Sequence, residues 1–374
     1  MGARRGLGIA VLWAALLAPA ARVAAVTVAE PIARLSLEGG YDSNALYLGQ
    51  GGDRTGRISP DVGFRLLDHL FKLTATYGGD WLVYERLASH GIWNHRGALD
   101  LEAAPTHRTR VTASARGGYA FDPVGLAQMG IFRTGQRSAW TVQGRGRAEW
   151  DASRRIELAL TATERTVVFS DRSGGAMHAP GAEALWHASE RLAVGAAYAA
   201  GLFQGFDPAG DSLAWSQGLR ARARYRITRM LEVDGYAGPA MWIGTHDQAL
   251  VPEAGAELRL ARRELDLRVA VAHGLGIGST ARPGLVDSAE VGVVRRFGLR
   301  FDVRGDGGLW HSGEVPSGRN STLGYAAAGE AGMMLGGGVR VALGVTHFAR
   351  IDDPSADLRR TTVGIRLGWT LPAR

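Results

Sequence analysis

From residue 214 to 243 two adjoining segments place an apolar side chain at every second position and a charged or polar one between, with a short turn separating them. Strand side chains alternate between two faces. In the first segment Trp215, Leu219, Ala221, Ala223, Tyr225 and Ile227 therefore share one side, and Arg220, Arg222, Arg224 and Arg226 the other. The return segment sets Leu231, Val233, Gly235, Ala237 and Met241 against Glu232, Asp234, Tyr236 and Trp242. Four arginines on one face are too polar for a soluble core, and the opposite face is too apolar for a solvated surface. Lipid outside and water inside satisfies both faces at once.

The same alternation recurs along the chain. Val111, Ala113, Ala115, Gly117 and Tyr119 oppose Arg110, Thr112, Ser114 and Arg116, and Trp140 to Trp150 repeats the pattern against Thr141, Gln143, Arg145, Arg147 and Glu149. Short turns are expected at 67–69, 105–107, 151–154, 189–191, 228–229, 261–263, 295–297 and 336–338. Longer polar connections are expected at 42–55, 82–93, 120–137, 170–177, 204–212, 244–249, 276–284, 311–320 and 352–358. Short and long connections alternate, which gives an all-β fold: a transmembrane antiparallel up-and-down β-barrel of about eighteen strands, with about sixteen as the other count. After the first residues no apolar run of about twenty occurs, so helical spans are excluded, and a strand protein in lipid must be closed. Tyr41, Trp81, Tyr119, Tyr198, Trp215, Trp242, Trp310 and Tyr325 fall near the long-connection ends, and Phe64, Phe71, Trp150, Trp186, Tyr225 and Trp369 near the short-turn ends. Two aromatic belts are what lipid headgroups select, although Trp242 and Trp310 lie on the polar register and are candidates to point inward.

Residues 1–25 read as a secretory leader, with Arg4 and Arg5 before an apolar run from Leu7 to Ala18 and small residues before a cut after Ala20 or Ala25. Residues 26–374 then form a single barrel domain. Removing Arg4, Arg5 and Arg22 takes the formal charge from +7 to +4, and with no basic block the high arginine content gives no reason to expect nucleic acid as a partner. The chain has no cysteine, which excludes disulfides, thiol catalysis and cysteine-bound metals.

Candidate lumen and selectivity residues are Arg220, Arg222, Arg224, Arg226, Glu232, Asp234, Arg145, Arg147, Arg300 and Arg304. Inward cations and anions are nearly matched in number. One reading is cross-strand ion pairs that brace the wall; the other is a positive sector that favours anionic solutes. No catalytic constellation, cofactor or metal site is expected. His311, Ser312 and Glu314 fall in an expected loop without supporting geometry, and His187 and Ser189 flank a short turn with no third partner. Asp42, Ser43 and Asn44 could offer oxygen ligands to calcium, but a turn ending the first strand explains them more simply.

Gly39, Gly40, Tyr41, Asp42, Ser43 and Asn44, with Tyr77, Trp81 and Tyr84 of the third strand, resemble the opening of outer-membrane β-barrels found with bacterial exopolysaccharide systems. Thr362 to Trp369 is similar to the alternating, aromatic-ended terminal strand that barrel-assembly machinery recognises, with Thr370 to Arg374 trailing beyond it. The resemblance implies a bacterial outer-membrane channel with periplasmic termini that exports polysaccharide. Its partners would be outer-membrane lipid, the assembly machinery, polysaccharide and periplasmic export components. A diffusion porin for small, anionic solutes is the alternative within the fold, and a barrel enzyme that modifies lipid or glycan the alternative from another class.

Overall fold

A computed structural model describes residues 28–44, 51–86, 91–121, 126, 130–131, 138–208, 210–244, 247–278, 280–315, 321–351 and 359–371. The leader and both of its expected cut sites lie outside the described residues. The strands in chain order are β1 (Val28–Asp42), β2 (Asp53–Leu67), β3 (Phe71–Tyr84), β4 (Ile92–Thr106), β5 (Thr109–Ala120), β6 (Ala139–Asp151), β7 (Ile156–Phe169), β8 (Gly174–His187) and β9 (Leu192–Phe206). They continue as β10 (Ser212–Arg226), β11 (Leu231–Ile243), β12 (Gln248–Ala261), β13 (Leu265–Ile277), β14 (Pro283–Phe297), β15 (Phe301–Gly313), β16 (Thr322–Gly336), β17 (Val339–Arg350) and β18 (Arg360–Thr370). Each strand pairs antiparallel with its sequence neighbours, and β1 meets β18 to close one 18-stranded barrel. β1 begins and β18 ends at the short-turn rim, and the longer connections gather at the other.

Alternation fixes which face each side chain takes. Leu219 is 62% exposed and Leu250 69% exposed on the outer wall, as are the outward Val62, Tyr77, Trp140 and Leu343. Charged residues take the opposite parity and face the bore, the inside-out distribution of a barrel set in lipid. Trp242 and Trp310 are 6% and 7% exposed on the inner register, so they belong to the interior and not to the outer aromatic belt.

Several boundaries differ from the sequence expectation by a few residues, β8 for instance beginning at Gly174 within the connection expected at 170–177, and two of them bear on the site. β14 runs through Phe297, and the turn falls at 298–300 rather than 295–297 because Gly298 supplies the left-handed conformation, φ 65°, that the turn needs. Arg300 therefore sits in this turn and not on the lumen wall. His311 and Ser312 belong to β15 rather than to a loop, since their backbone remains paired with β14 and β16.

Proline explains where the ladders are interrupted. Pro60, Pro180 and Pro239 lie where β2–β3, β8–β9 and β10–β11 each skip pairs before resuming. A proline has no N–H to give, so the ladder on the side its nitrogen faces loses a bond. Pro239 and Pro252 stand opposite one another across β11–β12. Neither can donate to the other, so each nitrogen faces away, Pro239 toward β10 and Pro252 toward β13.

The closing seam is fastened by the Tyr41–Asn44 motif. Arg360 of β18 donates from Nε to both Asp42 oxygens at 2.9 Å, and both side chains are only 2% exposed. Ser43 Oγ accepts from the Thr361 amide at 2.8 Å, and Asn44 Nδ2 donates to the Arg359 carbonyl at 3.0 Å. These bonds give all three residues structural partners in place of the calcium alternative. Asp42→Asn would exchange the buried carboxylate that Arg360 Nε bonds for a neutral amide, a loss of about 3–5 kcal/mol. The urea midpoint of the folded barrel is expected to fall accordingly.

Candidate functional site in the barrel interior

The Arg220–Arg226 ladder faces the bore and is met by acids on neighbouring strands. Arg220 Nη2 lies 2.7 Å from Glu253, Arg222 Nη2 lies 2.6 Å from Asp234, and Arg224 Nε lies 3.2 Å from Asp234. Arg226, 56% exposed near the short-turn rim, reaches Glu232 only at 4.0 Å. Arg222 also pairs with Glu183 of β8 by crossing over β9. That reach needs room, and β9 provides it, because its inward positions there are Ala193, Gly195 and Ala197.

Arg147 of β6 completes the arrangement through Glu157 at 3.1 Å and Glu183 at 2.5 Å, while Arg224 lies 3.6 Å from Glu157. The result is a closed circuit: Arg147, Glu183, Arg222, Asp234, Arg224, Glu157 and back to Arg147. Each charge has opposite neighbours on both sides, which offsets the desolvation that burying single pairs would incur. A second chain crosses the seam. Arg304 lies 2.9 Å and Arg340 2.7 Å from Asp302, Arg340 2.6 Å from Glu330, and Arg366 3.1 Å from Glu330 and 2.9 Å from Glu38.

Three exposed inward arginines stand apart, Arg34 of β1 among them. Arg116 of β5 and Arg145 of β6 make no ion pair or hydrogen bond with any described residue. Their register places them on consecutive rows below Arg96, since Arg96 is opposite Gly118, Arg116 opposite Gln143 and Arg145 opposite Ser114. Arg96 is already held by Asp61 at 2.7 Å and Asp80 at 2.5 Å. The row Arg96, Arg116, Arg145 and Arg147 thus descends one wall from the long-connection rim toward the charge circuit. Across an 18-strand ring the opposite wall is β14–β15, where Asp306 is exposed and likewise makes no ion pair among the described residues.

The mouth is narrowed by apolar packing on one side. Leu126 and Ile131, from the connection between β5 and β6, bury against Ala139, Val167, Phe169, Ile277 and Ala281. Phe203, Ala214, Trp242 and Val251 form a second buried cluster that Met177, Leu275 and Leu285 pack upon. Gly130, at φ 73°, lies so close to Trp310 that a Cβ would fall 2.5 Å from the ring. The remaining space includes a cavity of about 630 Å³ on the β1–β6 side, lined by Arg57, Asp61, Arg96, Arg116 and Gln143 among others.

Of the residues expected at the site, Arg145, Arg147, Arg220, Arg222, Arg224, Arg226, Glu232, Asp234 and Arg304 face the interior, and Arg300 does not. His311 and Ser312 alternate to opposite faces of β15, His311 outward and Ser312 inward, so they cannot converge. His187 Nε2 lies 3.5 Å from Glu157, beside the charge circuit. Sequence reading did not identify the apolar cluster at the mouth. Its signal was present in Val167 and Phe169, apolar residues on the inward register at the end of β7.

The interior is that of a closed, charged-lumen β-barrel. No family model matches the chain, and no curated protein matches it. Its structure is similar to OpdQ of Pseudomonas aeruginosa, with TM-score 0.42, 9% identity, and coverage of 92% of this chain and 99% of that one. It is also similar to a BenF-like porin of Pseudomonas fluorescens, with TM-score 0.44, 9% identity, and coverage of 92% and 99%. A third similar structure is OccAB3 of Acinetobacter baumannii, with TM-score 0.43, 7% identity, and coverage of 91% and 99%.

Aspartate in place of Leu126 and Ile131 would remove two anchors from the apolar cluster, each substitution costing about 2–5 kcal/mol of packing. Single-channel conductance in planar bilayers is expected to rise in the double variant if this packing narrows the mouth. An unchanged conductance would place the constriction elsewhere.

Proposed function

We propose that the chain is a bacterial outer-membrane porin, a passive aqueous passage for small polar solutes with a preference for anions. The observation that carries this reading is the pair Arg116 and Arg145, exposed to the bore and without acidic partners on a wall whose other arginines are neutralised. Fixed charge left unpaired in a narrow passage raises the local concentration of counter-ions. Eighteen strands support an aqueous bore. The even count, with both ends at the short-turn rim, supports termini in the periplasm. Val363, Ile365, Leu367 and Trp369 share the outer face of β18, which supports recognition of that strand by the barrel-assembly machinery and contact with membrane lipid.

Polysaccharide export is the weaker reading. Sugar rings travelling through a pore would be served by exposed aromatic faces, whereas inward Phe169, Phe203, Trp242 and Trp310 are packed away from the bore. Tyr236, another inward ring, is covered by the Arg220 guanidinium at 4.9 Å. An enzymatic role finds no converging Ser, His and acid among the described residues.

Reversal potentials under a salt gradient test the proposal. In Arg116→Gln/Arg145→Gln the anion-to-cation permeability ratio is expected to fall by about twofold or more, because the unpaired charges set the local potential. Glutamine at both positions with an unchanged ratio would show that they do not govern selectivity. A parent protein that forms no conducting channel would overturn the porin reading itself.

A further inference from the structure

The outer face of the short-turn half of the wall is uncharged on every strand but one. Among the described strand residues, Arg295 of β14 is the single charged side chain on the outward register there. Its row is fixed by the ladders: Leu265 of β13 stands opposite it on one side and Val303 of β15 on the other. The row continues to Arg262, which closes the β12–β13 hairpin by exchanging backbone bonds with Leu265 at 2.7 Å and 3.3 Å. The register runs unbroken through Leu260 opposite Leu267 and Ala261 opposite Asp266, so Arg262 shares the outward face with Leu265. Two arginines therefore flank one leucine on the lipid side, two strand spacings or roughly 10 Å apart.

Neither arginine has a counter-ion among the described residues. Both are exposed, and neither makes an ion pair or hydrogen bond through its side chain. The acid of the same turn, Glu264, falls on the inward register, where its carbonyl accepts the Arg296 amide at 2.8 Å. The surroundings are apolar on both sides of the row. Toward the membrane centre lie Leu260, Leu267 and Val293. Toward the rim lie Phe297 and Phe301, with ring centres 5.5 Å apart, and Leu299, 95% exposed at the tip of the turn. Arg295 bends toward the rim, its guanidinium carbon 4.9 Å from the centre of the Phe297 ring. That is the posture of a snorkelling side chain, with the stem on apolar surface and the charge carried to the headgroup level over a ring face.

We propose that Arg262 and Arg295 bind the phosphate of an anionic phospholipid at the short-turn rim, with the acyl chains running up the outer wall over Leu267, Val269 and Val293. The inference rests on the reading that the wall is set in a membrane and does not depend on conduction. A guanidinium at this level is costly without an anion, and the lipid phosphate is the anion this position faces. Guanidinium forks match phosphate oxygens, and two can close on one phosphate from either side of Leu265. Lipid is favoured over free phosphate because the apolar surface on both sides of the row offers acyl chains a wall and offers dissolved phosphate nothing. Charge chooses the headgroup. Two cations against one phosphodiester leave one positive charge in excess, so a headgroup bearing an amine adds a third cation and a glycerol headgroup does not.

The test titrates the full barrel, folded in neutral detergent, with phosphatidylglycerol and separately with phosphatidylcholine, and counts bound lipid by native mass spectrometry. The parent is expected to bind phosphatidylglycerol saturably and more tightly than phosphatidylcholine, and Arg262→Gln/Arg295→Gln to weaken phosphatidylglycerol binding by about tenfold or more. Arg191→Gln/Arg229→Gln, which removes the same charge from two other short turns, is expected to keep the parental affinity. Excess inorganic phosphate is expected to leave the lipid bound. Equal binding of the two lipids by the parent, parental affinity in Arg262→Gln/Arg295→Gln, or the same loss in the control pair would overturn the site, and displacement by inorganic phosphate would overturn its assignment to lipid. Folding is read by heat modifiability on gels. If the glutamine pair does not fold, Arg262→Lys/Arg295→Lys, which keeps the charge and loses the fork, decides: weakened binding supports the site and parental binding overturns it. Conductance of the same preparations keeps the two proposals apart: a parent that conducts without selective lipid binding overturns the site and leaves the porin reading, and one that binds without conducting does the reverse.

Discussion

A sheet in hydrocarbon has no water to satisfy an open edge, so the junction of β1 with β18 is the joint on which the rest of the wall depends. Nine residue pairs join the strands there, from Arg34 opposite Thr370 to Asp42 opposite Thr362, and the charge chain through Glu38, Arg366 and Glu330 continues across it inside the bore. The buried Asp42–Arg360 pair fastens its upper end. Once the ring is closed, alternation assigns every side chain to lipid or lumen without further instruction.

The lumen then has to accommodate many charges in a confined space. Arginines on β10 reach acids two strands away only because β9 presents alanine and glycine inward, so small residues and large charged ones are parts of one design. The circuit formed by Arg147, Glu183, Arg222, Asp234, Arg224 and Glu157 converts what looks like a positive ladder into a neutral brace. Unpaired charge is left higher on the same inner wall, at Arg145 of β6 and Arg116 of β5. The distinction between bracing and selecting is therefore made by pairing, not by the number of arginines.

Strand count, facing and the inward positions of Trp242 and Trp310 were legible because a period of two leaves no freedom once one face must be apolar. The turn after Phe297 was misplaced by a few residues because alternation continues through it, and only the glycine at 298 marks the reversal. Which arginines are neutralised could not be read, since the partners lie on strands as distant in sequence as Glu183 and Arg222. The inward apolar packing of Leu126 and Ile131 was hidden for the same reason.

The most direct test of the account uses the absence of cysteine, which makes single cysteines clean reporters. Each position from Leu219 to Arg226 would be replaced in turn by cysteine, and the barrel in lipid bilayers exposed to a membrane-impermeant thiol reagent. Fast labelling at 220, 222, 224 and 226 with protection at 219, 221, 223 and 225 is the expected result. Labelling without a period of two, or with the reverse phase, would contradict the assignment of lipid and lumen faces on which everything else rests.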